Sequence, residues 1–169
     1  MAEATDGVPI YWTEVDSPVG PLLLAGDRAT LRVLSFGRGD RAKRPEASWV
    51  ASADEFRDIT RQLREYFAGH RTSFDMAVAP AGTPFQRRVW QALLEIPYGE
   101  TTSYGALARR LGDVKATRAV GLANGANPIA IVIPCHRVIG AGGALTGFGG
   151  GLPTKRALLD LERGQRTLL

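Results

Sequence analysis

Chemistry in this chain gathers around a single thiol. Pro134-Cys135-His136-Arg137 sets the only cysteine of the sequence directly beside an imidazole and a guanidinium. A thiolate, not a thiol, is the nucleophile; apolar burial disfavours it and nearby cationic or imidazole groups favour it. Two readings of Cys135 are open on the residues alone: a small buried packing residue, or a nucleophile with His136 as its base. Adjacent side chains often point apart, so a working Cys-His pair needs a bent backbone or a bridging water; the other reading of His136 is a hydrogen-bonded structural imidazole. A third group must orient the ring. Glu162 and Asp160 are the only acids after Asp113, and both sit late in an apparent helix that begins at Pro153, with Leu158 and Leu161 on its apolar side. Glu162 lies near the helix-ending Gly164, where the helix dipole disfavours a negative charge; that local penalty hints at a purpose. One cysteine forms no internal disulfide and offers no group of thiolates for a structural zinc.

The elements that position these residues are marked by local signals. Pro128 to Cys135 is apolar and reads as a buried strand ending at the cysteine, with Pro134 interrupting the ladder. Upstream, Thr83-Pro84-Phe85-Gln86 is a capping box. The helix it opens buries Phe85, Val89, Ala92, Leu93 and Ile96, with Trp90 in the core, and ends at Pro97-Tyr98-Gly99. Ser103 caps a second helix carrying Leu107, Ala108 and Leu111, which stops at Gly112. After the connection Gly112 to Lys115, a third spans Ala116 to Asn124, and the pair has the outline of a helix-turn-helix. Ala116, Ala119, Gly121, Ala123, Gly125 and Ala126 leave that last helix with almost no side chains, so its backbone can approach a partner closely. Arg118 is its one long cation.

The first half reads differently. Ile10 to Val15, Leu22 to Ala25 and Leu31 to Phe36 predict an antiparallel meander with turn chemistry at Ser17-Pro18-Val19-Gly20-Pro21. Gly37 to Ser48 reads as a loop. Phe56, Ile59, Leu63, Tyr66 and Phe67 predict a helix covering one face of the sheet, and Phe74 to Val78 a further strand. No cluster of His, Cys or paired carboxylates occurs there, so the expected role is scaffold. The Pro/Gly-rich stretch from Ala79 to Pro84 divides the chain into domains at 1–80 and 81–169.

Charge divides at the same place. The first 80 residues carry 10 Lys/Arg against 12 Asp/Glu, the remainder 11 against 5. A surplus confined to one half suits a polyanion, with nucleic acid first among the candidates; the plainer reading is a solvated basic face. With 169 residues and 44% apolar composition, the chain is long enough for one large or two small cores, which excludes a disordered chain. No apolar stretch approaches the roughly 20 residues of a membrane helix. Met1 to Val8 lacks the basic-then-apolar pattern of a secretory signal, so a cytoplasmic protein without membrane contact is expected.

Pro134 to Ile139, the block Phe85 to Gly105 (FQRRVWQALLEIPYGETTSYG), Arg118 to Pro128 (RAVGLANGANP) and Leu145 to Leu152 (LTGFGGGL) together resemble the O6-alkylguanine-DNA alkyltransferases, the methylated-DNA–protein-cysteine methyltransferases. In the first half only DSPVGPLLLAG and the strand-then-helix order share the resemblance. It implies an α+β fold of two domains: an N-terminal ribonuclease-H-like antiparallel sheet with a covering helix, and a C-terminal helical, winged-helix-like domain with a helix-turn-helix.

The resemblance also implies single-turnover repair without metal or cofactor. Cys135 takes the alkyl group from guanine O6, and the thioether is never reopened. His136 accepts the thiol proton through a water, Glu162 orients the ring, and Asn127 braces the turn presenting Cys135. Tyr104 contacts the flipped guanine and helps protonate the departing base. The carbonyls of Cys135 and Val138 accept from the guanine amine, and the Gly149 amide donates to O6 beside Phe148. The partner is double-stranded DNA containing O6-alkylguanine, or alternatively O4-alkylthymine, bound in its minor groove by a monomer, with cooperativity left open. Arg118 fills the vacated stack; Ser103, Lys115, Thr117, Ala119 and Gly121 complete the DNA-binding set. Phe148 stands where many relatives have Tyr, and Gly149 where Ser or Ala is frequent. Two other functions are weighed. A non-catalytic sensor of alkylated DNA is disfavoured because such relatives lack the cysteine; a cysteine hydrolase is made awkward by adjacent Cys and His.

Overall fold

The computed structural model describes residues 7–38 and 42–164. Strands β1 (Tyr11–Val15), β2 (Leu22–Gly26) and β3 (Leu31–Phe36) form the expected antiparallel meander, and a short β4 (Val50–Ala51) adds in parallel to β1, giving the order β3-β2-β1-β4. Every residue of Leu22 to Ala25 is buried, so β2 is covered on both faces and reads as an apolar run instead of an alternation. Tight local bonds set the register. Gly20 N–H donates to the Ser17 carbonyl at 3.0 Å, and Asp27 Oδ1 accepts from the amides of Ala29 and Thr30 at 2.8 Å each. The expected loop Gly37 to Ser48 includes residues 39–41, which lie outside the described residues; 42–48 contain no helix or strand.

Helix α1 (Arg57–Phe67) buries Ile59, Leu63, Tyr66 and Phe67 against the sheet, and Phe56 is buried in the 3-10 turn before it. The strand expected over Phe74 to Val78 does not form. Only Val78 bridges Leu31, because Gln62 of α1 takes the backbone of Asp75 on both sides: Nε2 donates to its carbonyl at 2.9 Å and Oε1 accepts from its amide at 2.8 Å.

In the C-terminal half, α2 (Pro84–Leu93) opens on the capping box. Thr83 Oγ1 accepts from Gln86 N at 3.1 Å and Gln86 Oε1 from Thr83 N at 2.9 Å. Strand β5 (Thr102–Ser103) leads into α3 (Tyr104–Arg110), where Ser103 Oγ caps the Ala106 amide at 3.0 Å. Gly112 supplies the left-handed φ of 89° that ends it. A 3-10 turn over Val114–Ala116 delays α4 to Thr117–Gly125, one residue later than the sequence implies. Trp90 is buried as expected, and its Nε1 donates to the Ala123 carbonyl at 2.8 Å, tying α2 to α4.

The segment before Cys135 departs from expectation. Residues 128–134 are buried but are not a strand. Ile129 alone bridges Leu34 of β3, after which the chain folds on itself: Val132 N–H donates to Ala130 O at 2.8 Å, Ile133 to Ile129 at 3.1 Å and Cys135 to Ile133 at 2.8 Å. Ile131 adopts a φ of 69°, unusual for a β-branched residue. Periodicity cannot distinguish a buried coil from a buried strand in so short an apolar run, and prolines at both ends remove ladder donors. A 3-10 turn, Cys135–Arg137, follows, then β6 (Val138–Ile139) parallel to β5, and α5 (Leu152–Glu162) closes the fold. One apolar core runs through both halves, from Leu24 and Leu34 to Ile129, Val138 and Leu158.

Gly26 marks a backbone constraint in the sheet, since a Cβ there would lie 2.2 Å from the Thr30 carbonyl oxygen. Gly26→Ala should therefore cost on the order of 1–3 kcal/mol, read as a lower urea midpoint with an unchanged slope.

Candidate active site

Glu162 is the hub. It is the last residue of α5, only 5% exposed, and its carboxylate collects donors from four residues in three parts of the chain. Oε2 accepts from His136 Nε2 at 2.6 Å, from Tyr66 OH at 2.6 Å and from Arg137 Nη2 at 3.1 Å; Oε1 accepts from Arg137 Nε at 2.6 Å and the Gly99 amide at 3.5 Å. Burial alone would push this carboxyl up, yet the bonds and charges of His136 and Arg137 hold it down at about 2. Arg137 is itself buried and also donates to the Ile96 carbonyl at 2.7 Å.

The ionised carboxylate fixes the histidine tautomer. An acceptor-only group at Nε2 requires the proton there, so the neutral ring turns its lone pair to Nδ1. Nδ1 is buried and has no hydrogen-bond partner among the described residues. Burial lowers the basicity of His136, opposed by Glu162 and reinforced by Arg137 and Lys155. The same burial raises the Cys135 thiol, with Asn127 and Lys155 acting in the opposite direction. At rest, therefore, the pair is a neutral thiol beside a neutral imidazole.

Cys135 forms part of the wall of a cavity of about 200 Å³ that both halves of the chain line: Leu34 to Phe36 and Lys43 from one, Asn124 to Pro128 and Gly147 to Gly149 from the other. Asn127 spans the folded-back segment, its Oδ1 accepting from Ile129 N at 3.0 Å and its Nδ2 donating to Ile133 O at 2.8 Å. Asn124 Nδ2 donates to the Cys135 carbonyl at 3.3 Å. Phe148 and Gly149 lie at the cavity. Phe148 stands edge-on to Phe36 of β3, ring centres 5.4 Å apart, and the backbone of Gly150 presses on that ring so closely that a Cβ would sit 2.8 Å away.

Helix α4 joins this cavity to the surface. Thr117, Arg118, Ala119 and Leu122 are exposed, Gly121 is half-buried, and Val120, Ala123 and Asn124 face the core; Lys115 is exposed just before the helix. Tyr104 packs over Gly121 from α3 and accepts from Thr146 Oγ1 at 2.9 Å, leaving its own proton free to donate. Neither Tyr104 nor Val138 lines the cavity. The Val138 carbonyl receives Lys155 Nζ at 2.6 Å, and the oxygen of Ser103 is occupied by its cap.

Three contributors escaped the sequence reading. Tyr66 appeared there only as a core position, although a tyrosine on a buried stripe calls for a hydroxyl partner. Lys155 is 0% exposed and shares a helical face with Leu158 and Glu162, a spacing that was legible. Phe36 carried no local signal at all.

Fold and site define a two-domain α+β protein with a helix-turn-helix and one thiol held beside an oriented imidazole. Residues 10–80 match the family model described as the ribonuclease-like domain of 6-O-methylguanine DNA methyltransferase, and residues 84–164 match its DNA binding domain. The chain is 54% identical to a methylated-DNA--protein-cysteine methyltransferase of Methanosarcina acetivorans over 153 residues, 90% of this chain and 98% of that protein. It is 52% identical over 157 residues to the protein of the same name from Mycobacterium bovis, covering 92% and 94%. A crystal structure of Mycobacterium tuberculosis OGT in complex with DNA superposes with a TM-score of 0.86 at 51% identity, covering 92% of this chain and 94% of that one. The chain belongs to the 6-O-methylguanine DNA methyltransferase family.

Acid should destabilise the fold in two stages. The native state keeps His136 neutral below its ordinary value of 6.5 while the unfolded chain takes up the proton, so stability falls as pH drops past that point. Glu162 adds a second loss between its ordinary 4.5 and about 2. Glu162→Gln should remove that second stage and cost about 3–5 kcal/mol at neutral pH by stranding Arg137, both measurable by thermal melts across pH.

Proposed function

We propose that this protein repairs O6-alkylguanine in DNA by direct reversal, taking the alkyl group onto Cys135 Sγ. The carrying observation is that the one thiol of the chain lines a cavity and is followed directly in sequence by a histidine whose Nε2 is pinned by an ionised glutamate and whose Nδ1 has no protein partner among the described residues. The thiol proton passes to His136 Nδ1 through a water as sulfur attacks the alkyl carbon. The carbon–O6 bond breaks, and Tyr104 supplies a proton to the leaving guanine. Because Cys135 and His136 are both neutral at rest, the thiolate forms only as the lesion reacts. The product is a thioether, and with no second thiol in the sequence each chain reacts once. The Cys135 and Val138 carbonyls each keep a second lone pair for the guanine amine, and the Gly149 amide donates to O6.

An alkyl carbon on a stacked base is out of reach, so the nucleotide must leave the duplex. The exposed small-residue face of α4 suits close backbone approach to a minor groove, with Arg118 entering the gap and Lys115, Thr117, Ala119 and Gly121 along the contact. Residues 81–169 carry this chemistry, and 1–80 support it, in a monomeric cytoplasmic protein. Among the described residues no helix is long and apolar enough to cross a membrane.

Incubation with an O6-methylguanine duplex should add one methylene to the peptide bearing Cys135, at one equivalent per chain; repeated turnover, or modification elsewhere, contradicts the mechanism. Cys135→Ala should bind duplex DNA without reacting. Arg118→Ala should react normally with a free O6-alkylguanine base and poorly with the duplex, whereas equal losses on both substrates would refute its assignment to the vacated stack.

A further inference from the structure

We propose that Tyr66 of the N-terminal domain is a positioning residue for alkyl transfer, holding the Glu162 carboxylate in the orientation that fixes the His136 ring. The proposal rests on the reading of Cys135 as the alkyl acceptor and adds a role for the half of the chain that carries no reactive group.

Tyr66 lies 96 positions before Glu162, yet its hydroxyl donates to Oε2 at 2.6 Å, the same oxygen that receives His136 Nε2 at 2.6 Å. The tyrosine cannot swing away. It is 0% exposed, and its ring is met by Phe67 and Phe74 at 5.3 and 5.4 Å and by Tyr98 edge-on at 6.3 Å. Burial and the adjacent carboxylate push its phenol well up, so it stays a donor wherever the protein is folded.

Arg137 and Tyr66 do different things to the carboxylate. The guanidinium spans both oxygens, Nε to Oε1 and Nη2 to Oε2, and supplies the countercharge. It lies over the Tyr98 ring at 5.8 Å. Tyr66 is neutral and touches Oε2 alone, so it adds direction without charge. A carboxylate oxygen with a second short donor has little freedom to rotate and less negative charge to lend its first one. Removing the hydroxyl would take away one of the three donors on Oε2 and let the carboxylate pull harder on the imidazole proton. Of the charged groups that act on His136, Arg137 in the same 3-10 turn and Lys155 from α5 oppose its protonation, while Glu162 from α5 favours it. Among the described residues the Tyr98 hydroxyl reaches only the Leu161 carbonyl, at 3.5 Å. Beside the longer 3.5 Å donation of the Gly99 amide to Oε1, Tyr66 is therefore the neutral donor that can bias His136 through the shared Oε2 of Glu162.

The test uses the full-length protein and follows alkyl transfer against pH, with an O6-methylguanine duplex and with free O6-benzylguanine. Tyr66→Phe should slow transfer to both substrates on the order of tenfold, leave affinity for undamaged duplex unchanged, and move the acid limb of the profile to higher pH. Replacing Tyr66 with meta-fluorotyrosine, a stronger donor of nearly the same size, should move that limb to lower pH. Wild-type rate and a superimposable profile in Tyr66→Phe overturn the proposal, since a tyrosine that merely fills space would move neither. Should the phenylalanine variant fail to fold, the fluorotyrosine protein decides alone: a displaced limb supports the proposal and a coincident one rejects it. Failure of the wild-type protein to alkylate Cys135 would instead sink the underlying function, a distinguishable result.

Discussion

A carboxylate buried at the C-terminal end of a helix is doubly unfavourable, desolvated and at the wrong pole of the dipole. Glu162 persists there as an anion because Arg137 grips it through two nitrogens and His136 and Tyr66 complete its shell. The rest of the site follows from that cluster. An ionised Glu162 dictates the proton on Nε2, which dictates the lone pair on Nδ1. Burial, with Arg137 offsetting part of the charge of the acid, disfavours imidazolium at rest. A buried thiol next to a neutral imidazole stays a thiol, and a neutral thiol resists indiscriminate electrophiles. For a residue usable once, reactivity withheld until a lesion enters the cavity is the appropriate default.

The cluster also explains why the two halves share one core. Leu34 of β3 bonds on both sides of Ile129, accepting from the Ala130 amide at 2.9 Å and donating to the Pro128 carbonyl at 3.0 Å, and so fixes the start of the segment that delivers Cys135. Phe36, two residues on, supports the loop bearing Phe148 and Gly149. Tyr66 reaches the acid. The N-terminal half thus meets the site at its backbone, its loop and its charge, although the sequence marks it only as scaffold.

What was legible in the sequence obeyed local rules. The capping box at Thr83, the Ser103 cap, the stop at Gly112 and the meander turns depend on neighbours within a few residues, and each appears in the structure. The family resemblance rested on Cys135 and the blocks around it, the part of the chain where backbone and chemistry are most constrained together. Residues 128–134 read as a strand because apolar burial is visible in the sequence and the backbone path is not; Pro134, the expected interruption, and Pro128 bracket a coil whose amides bond backward. Tyr66 and Phe36 depend on partners about a hundred positions away, and no periodicity in a single chain reports such a distance. The resting state of Cys135 was likewise hidden, since adjacency to His136 and Arg137 suggested a favoured thiolate while burial, which only the fold reveals, outweighs them.

Lys155 shows how the same interior serves both the resting and the reacting state. Its ammonium is buried among backbone oxygens, donating to Val138 at 2.6 Å and Thr146 at 3.2 Å, and it lies 6.0 Å from the face of Tyr104. Those bonds join β6, directly after the cysteine turn, to the loop that carries Phe148. Burial makes the lysine easier to deprotonate, and an anionic Cys135 would make it harder. A cation held this way favours an anionic over a neutral sulfur at Cys135, opposing the effect of burial on the thiol. The interior thus pairs the Glu162 anion with Arg137 and His136 and holds the Lys155 cation on the Val138 and Thr146 carbonyls, so that both buried charges are satisfied around one turn of chain.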